Sequence, residues 1–295
     1  MMNLKDKKTL IVGLGRTGLA AARFLHQKGA RVLVADTADE TQLGDSARAL
    51  REMGVALELG AHRTSSFQKA DLIIVSPGVS HTIDPIAQAR ACGIPLMSEV
   101  ELASRFIKEP IVAVTGTNGK TTTTELLGQM LKNSGISVFV GGNIGNPLIE
   151  YAGSGQKMQV VVAEISSFQL DTIERFRPKV SVLLNISADH LDRYPDFEAY
   201  VDSKIRVFSN QQADDVAVLN GSDPLIRVKT KEIKSQRLFF PALQADEQGA
   251  VLNGKRIILN LNKLKRIQSK IRIPLSAFRN QENLDIAKIR LRGRH

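Results

Sequence analysis

The 295-residue chain has no tryptophan, three tyrosines and a single cysteine, and aromatic residues make up only 5% of it. One cysteine, Cys92, excludes a disulfide framework and fits a reducing compartment. No apolar run approaches the roughly 18 residues that a membrane span needs. The opening Met-Met-Asn-Leu-Lys-Asp-Lys-Lys leads straight into a strand pattern without a cleavable leader. These absences predict a soluble cytoplasmic protein with no membrane partner. Neither an internal repeat nor a low-complexity tract is present. Charge of one sign is scarce until late in the chain. Of the 40 Lys/Arg and 30 Asp/Glu, residues 227–295 hold 17 and 5, leaving 23 and 25 for residues 1–226. The net +10 is therefore a property of the last quarter. Without interleaved aromatics it reads as a solvated or anion-facing surface, and no nucleic acid partner is expected.

What the chain does have is 43% hydrophobic residues, enough for two domains at this length. It is organised around Ile111-Val-Ala-Val-Thr-Gly116-Thr-Asn-Gly119-Lys120-Thr121. Four apolar residues, 111–114, predict a buried strand, and apolar positions from Thr122 to Lys132 fall at helical spacing. Strand, glycine loop and helix together form the pattern of a phosphate-binding loop. Gly116 and Gly119 allow a tight turn that gathers N–H groups at a helix N-terminus. Lys120 is placed to reach outer phosphates and the Thr121 hydroxyl to ligate Mg²⁺. The loop is shorter than the general GxxxxGK[ST] form, but its flanks support it, and the stretch reads as ATP-binding.

Ahead of it, a strand at Thr9–Val12, Gly13-Leu-Gly15-Arg-Thr-Gly18, a helix to Lys28, and a strand at 31–35 ending at Asp36 spell a Rossmann βαβ unit. A phosphate site near Gly15–Gly18 follows, for NAD or for a nucleotide-linked substrate. A helix at 42–53, strands at 56–59 and 72–75, the turn Ser76-Pro-Gly78-Val79, a helix at 85–91 and a short strand at 95–97 complete this unit. A helix from Ser98 to Arg105 leads on. After the loop, strands are predicted at 137–140, 160–163, 180–184 and 216–219, with small antiparallel strands between Leu238 and Pro274. Glu164 closes a strand beside the loop, either as a Mg²⁺ ligand or as a helix N-terminal acid. His190, among polar residues at a strand end, is a candidate ligand. Lys204 reads as an ordinary solvated helix lysine.

The motifs GLGRTG (13–18), SPGV (76–79), GTNGKTT (116–122), GGNIGNP (141–147), EISSFQLD (164–171) and NISADHLDRY (185–194) together resemble the Mur ligase family. That family comprises ATP-dependent enzymes that add amino acids to the UDP-linked peptidoglycan precursor. The resemblance extends in order to about Asn283 and is to the branch that joins D-glutamate to UDP-N-acetylmuramoyl-L-alanine. It implies an α/β fold, with an N-terminal Rossmann-like domain (1–97) that binds the UDP-substrate. An ATP-binding central domain (98–284) of P-loop type follows, its mostly parallel sheet covered by helices on both faces and carrying a small antiparallel edge.

The resemblance also implies site roles. Gly116, Thr117, Asn118, Gly119, Lys120, Thr121 and Thr122, with Asn280 and Asn283, would hold ATP. Thr121, Glu164, His190 and a carbamylated Lys204 would ligate two Mg²⁺ ions, and Lys120, Glu164, His190 and Lys204 would be catalytic. Arg16, Thr17, Asp36, Thr37, Gly78, Asn143, Ser166 and Gln169 would contact the UDP-substrate. Position 38 is alanine where some relatives carry a basic residue, so the resemblance does not carry over one uracil-side contact. The expected chemistry is an acyl phosphate formed from the substrate carboxylate and then captured by the D-glutamate amine. It belongs to cytoplasmic precursor synthesis, hence to cell-wall growth, shape and division, and a monomer is expected.

Family members continue into a third domain that binds the incoming amino acid. Here residues 285–295 read instead as an aberrant basic tail, which predicts a truncated product lacking the D-glutamate site. A catalytically inactive remnant that binds nucleotide or UDP-substrate is therefore the principal rival. A related ligase would lack this motif combination, and an NAD-dependent oxidoreductase would leave Gly116–Thr121 and His190 unexplained.

Overall fold

The computed structural model describes residues 2–190, 192–244, 247–253 and 256–260. Its first sheet is built from β1 (Lys8–Val12), β2 (Arg31–Asp36), β3 (Ala56–Leu59), β4 (Leu72–Val75) and β5 (Leu96–Ser98). Helices α1 (Arg16–Gln27), α2 (Glu40–Glu52), α3 (Thr64–Gln68) and α4 (Asp84–Ala91) connect them. The order is β3-β2-β1-β4-β5 and every pairing is parallel. This is the doubly wound arrangement, with its switch point between β1 and β4. Strand β4 is buried along its whole length, as its unbroken apolar Leu-Ile-Ile-Val demands of a strand covered on both faces. Helix α2 starts two residues earlier than its periodicity predicts, because Asp39 caps it and Gln42 returns the bond to the Asp39 amide.

Helix α5 (Glu99–Ser104) leads to the second sheet. Its strands are β6 (Ile111–Thr115), β7 (Val138–Gly142), β8 (Val160–Glu164), β9 (Val180–Leu183), β10 (Val216–Asn220), β11 (Gln236–Phe240), β12 (Gly249–Asn253) and β13 (Arg256–Asn260). The intervening helices are α6 (Lys120–Asn133), α7 (Leu148–Gly153), α8 (Ser167–Leu170), α9 (Phe197–Ile205) and α10 (Pro224–Lys229). The sheet runs β13-β12-β11-β10-β9-β6-β8-β7. The expected antiparallel edge is present as β12 and β13, but β11 does not belong to it. β11 pairs parallel with β10 and, through Phe239 and Gly249, with β12. Only β12 and β13 form an antiparallel pair among the described residues. Short alternating strands carry no sign of their direction, which is set by the α10 crossover. The remainder of the predicted stretch, 261–274, lies outside the described residues.

The two sheets share one apolar core, in which Leu14, Phe24 and Leu25 of the first join Leu148, Ile149 and Phe176 of the second. Polar ties reinforce it. Ser98 Oγ donates to the Gln169 carbonyl at 3.0 Å, and Arg16 donates to Asn146 Oδ1. Glu99, 1% exposed, accepts from the Ile149 amide at 2.5 Å through Oε1, while its buried Oε2 has no hydrogen-bond partner among the described residues. Burial, aggravated by Glu150, pushes this carboxyl from its ordinary 4.5 up to about 7.

A carboxyl whose pKa is higher in the folded state binds more protons there. The parent chain therefore loses stability as pH rises from about 4.5 through about 7. Glu99→Gln should match the parent near pH 4.5 and exceed it at pH 8 by on the order of 3 kcal/mol, read from denaturant melts across that range.

Candidate active site

The first sheet's switch point gathers two of the glycine turns. Gly13 has φ +95°, and a Cβ there would lie 2.8 Å from Val79 Cγ2. Ser76 Oγ donates to the Gly13 carbonyl at 2.8 Å, tying the SPGV turn to the β1 loop. Gly18 packs so closely that a Cβ would meet the Gly13 carbonyl oxygen at 1.9 Å, whereas Gly15 faces open space. That open space fits close approach of a phosphate to the α1 N-terminus. Asp36 holds the turn, accepting from Leu14 N at 2.6 Å and Ala38 N at 2.8 Å, one bond to each oxygen. Thr37 and Gly78 are exposed, and Thr17 half-buried, around the same strand ends.

In the second sheet, β6 lies between β8 and β9, and the loop at its end is flanked by residues from both. Helix α6 begins at Lys120, two residues before its apolar spacing predicts, because Gly119 takes φ +80° as its N-cap and turns the chain directly into the helix. Gly116, at φ +152°, lies against Leu184 and Asn185. Glu164, the last residue of β8 and 2% exposed, accepts from the Thr121 hydroxyl at 2.7 Å and from Asn143 Nδ2 at 2.9 Å. Lys120 Nζ rests on the Gly116 and Thr117 carbonyls, at 3.0 and 2.8 Å.

Lys204 is the clear departure from expectation. Instead of a solvated helix lysine, it is 2% exposed, on the face of α9 that also buries Tyr200, Val201 and Ser203. Its Nζ donates to the Gly116 carbonyl at 2.9 Å and stands 4.6 Å from the Tyr200 ring centroid. Burial first, and Lys120 second, bring the amine down to about 7. Two amines thus converge on one loop carbonyl.

His190 stands at the rim, exposed and with a left-handed φ of +53°, its ring 5.1 Å from that of Phe168. Ser166 and Gln169 cap α8 reciprocally, Ser166 half-buried and Gln169 buried. The structure thus brings Lys120, Thr121, Asn143, Glu164 and Lys204 together around one loop. Arg16, Thr17, Asp36, Thr37 and Gly78 stand at the strand ends of the other sheet. Asn280 and Asn283 lie outside the described residues.

Sequence reasoning missed two residues of this site. Asn185 binds the loop backbone, and Tyr200 Oη lies 3.1 Å from the Thr117 hydroxyl. The available signals were a polar residue closing a strand, and an aromatic one helical turn before Lys204.

Two mostly parallel α/β sheets, each presenting a glycine turn at a strand–helix junction, place the chain in the class of α/β proteins whose turns suit phosphate groups. Comparison with known proteins gives that class a family. Residues 114–291 match the Mur ligase middle domain, and residues 7–98 match the N-terminal domain described as Mur ligase MurD-like. The chain belongs to the Mur ligase family.

A curated relative from Desulfosudis oleivorans, named UDP-N-acetylmuramoylalanine–D-glutamate ligase, is 51% identical over 97% of this chain and 62% of its own length. One of the same name from Desulfatibacillum aliphaticivorans is 56% identical over 85% of this chain and 56% of its own. The chain thus spans about three-fifths of the curated relatives it matches. The solved UDP-N-acetylmuramate:L-alanyl-gamma-D-glutamyl-meso-diaminopimelate ligase from Neisseria meningitides shares the fold. Its TM-score is 0.54 at 20% identity, over 86% of this chain and 85% of that one.

Proposed function

We propose that this chain carries the substrate- and ATP-binding parts of an ATP-dependent ligase that adds D-glutamate to UDP-N-acetylmuramoyl-L-alanine. In this reading residues 1–97 bind the UDP-substrate and residues 98–284 bind ATP. The names of the relatives support the substrates. The observation that carries the reading is the grouping of Glu164, Thr121, Lys120 and Lys204 at the end of β6.

The donor set fits a magnesium ion. Glu164 is a buried carboxylate, and the hydrogen bonds it accepts among the described residues come from the neutral Thr121 hydroxyl and Asn143 amide. A hard divalent cation beside these oxygens would offset a charge that is costly to bury alone. Thr121, Glu164, His190 and a carbamylated Lys204 are the residues that would hold two Mg²⁺ ions, which neutralise phosphate charge when bound.

The chain's own groups have separable tasks. The open amides at the start of α6 cradle the phosphates, and Lys120 leaves its carbonyls to follow the charge that develops on the transferred phosphoryl group. The substrate carboxylate attacks the γ-phosphorus and ADP leaves. The D-glutamate amine then displaces phosphate from the acyl phosphate to form the amide. With its pKa near 7, a large share of Lys204 is neutral at physiological pH, the form that adds carbon dioxide to give a carbamate and a proton.

Equilibrium binding of UDP-N-acetylmuramoyl-L-alanine, with UDP-N-acetylmuramate as control, tests the assignment. Preference for the alanine-bearing form is the expected result. No binding of either by a folded chain overturns it. Binding of substrate and ATP without phosphate release on adding D-glutamate would identify a non-catalytic binding protein.

A further inference from the structure

We infer that Asn185 is a positioning residue for the phosphate loop, fixing which backbone amides are left to meet a phosphate. The inference rests on the reading that this loop holds a nucleotide.

A phosphate loop works by presenting N–H groups, yet each amide can point only one way. Here two amides are already committed. Thr117 N donates both to the Asn185 carbonyl at 3.0 Å and to Asn185 Oδ1 at 3.1 Å. Asn118 N donates to the same Oδ1 at 2.8 Å. Asn185 Nδ2 returns a bond to the Asn118 carbonyl at 3.0 Å, so both ends of one side-chain amide clamp the same peptide segment. Close packing of Gly116 on Leu184 and Asn185 leaves this segment little room to shift.

The amides of Lys120, Thr121 and Thr122 are in the opposite condition. The first bond of the helix runs from Thr123 N to the Gly119 carbonyl at 3.0 Å, and α6 has no side-chain cap. These three N–H groups therefore have no intrahelical acceptor. Asn185 thus divides the loop into a half tied to β9 and a half facing outward. Without the side-chain clamp, Asn118 loses both of its bonds to Asn185 and Thr117 N keeps only the Asn185 carbonyl, so the outward half loses part of its fixed base.

Two measurements on the chain test this. The first is amide hydrogen exchange without nucleotide, and the second is equilibrium binding of ADP with Mg²⁺. Asn185→Ala should speed exchange at Asn118, leave Thr117 protected by the Asn185 carbonyl, and weaken ADP binding at least about tenfold, or roughly 1.4 kcal/mol. Asn185→Asp keeps the accepting oxygen and should restore protection at Asn118.

Unchanged exchange at Asn118 in the alanine variant overturns the clamp. Faster exchange with unchanged ADP affinity overturns its role in positioning. Faster exchange spreading into β1 of the other sheet would mark a general loss of structure, and that also counts against a positioning role. Failure of the parent chain to bind ADP would sink the nucleotide reading, and the exchange data would still decide the clamp.

Discussion

Glu164→Gln is expected to leave the fold as stable as the parent or more so, while ATP-dependent ligation by the enzyme that carries it falls at least about a hundredfold. The two effects have one cause. Glu164 is 2% exposed, and burying a charge that only neutral hydrogen bonds meet costs stability. Glutamine keeps one oxygen to accept from Thr121 or Asn143 and removes the charge. Folding therefore gains what burial had cost. The proposed reaction loses the charge that would attract Mg²⁺ beside the loop. Thermal melts with and without Mg²⁺, set beside phosphate release, check the split. Added Mg²⁺ should raise the parent's melting temperature more than the variant's. A variant that loses stability and activity in parallel would show Glu164 to be a structural residue.

The largest stability effect is expected at Glu101, on the far side of the shared core. This residue of α5 is fully buried, and its Oε2 accepts from three consecutive amides, those of Glu174, Arg175 and Phe176, at 2.9, 3.0 and 2.9 Å. Its Oε1 accepts from Arg105 Nε at 2.7 Å. Removing the carboxylate leaves three peptide donors without their acceptor and the Arg105 guanidinium with Glu174 alone of its two carboxylates. Each orphaned group costs on the order of 1–3 kcal/mol, and a broken buried pair about 3–5 kcal/mol. Glu101→Ala should therefore lower stability by roughly 4 kcal/mol, or about 10 °C in Tm. Glu101→Gln should recover part of this, since its carbonyl can replace one oxygen while its amide opposes donors at the other. The half-exposed Arg51–Glu40 pair is the control, because water replaces what its loss removes. If Glu40→Ala and Glu101→Ala shifted Tm equally, the Glu101 carboxylate would not be the anchor of the 174–176 segment.

What could be read from the residues, and what could not, follows from the range of the forces involved. The β1 and β6 turns were legible because glycine spacing, an apolar strand and a helical period act within about 20 residues of one another. Helix α8 was missed because four residues are too few to show a period, although Ser166 and Gln169 carry its cap. Lys204 could not be read as buried, since the α9 sequence Phe-Glu-Ala-Tyr-Val-Asp-Ser-Lys-Ile mixes apolar and charged positions. Only contact with a loop 88 residues away decides which face turns inward. The direction of β11 was hidden for the same reason. The expected pair Asn280 and Asn283 falls beyond the described residues and gains nothing from the fold.

The perch of Lys120 acts as a filter. At rest its ammonium is satisfied by two carbonyls of its own loop, so a passing anion meets a cation that is already engaged. A ligand draws the side chain away only by offering more than those two charge-assisted bonds, each worth about 1.5–3 kcal/mol. Under the proposed reading, a polyphosphate would offer more such bonds than a single monovalent anion, so the resting perch would favour dense negative charge before any base or sugar is recognised.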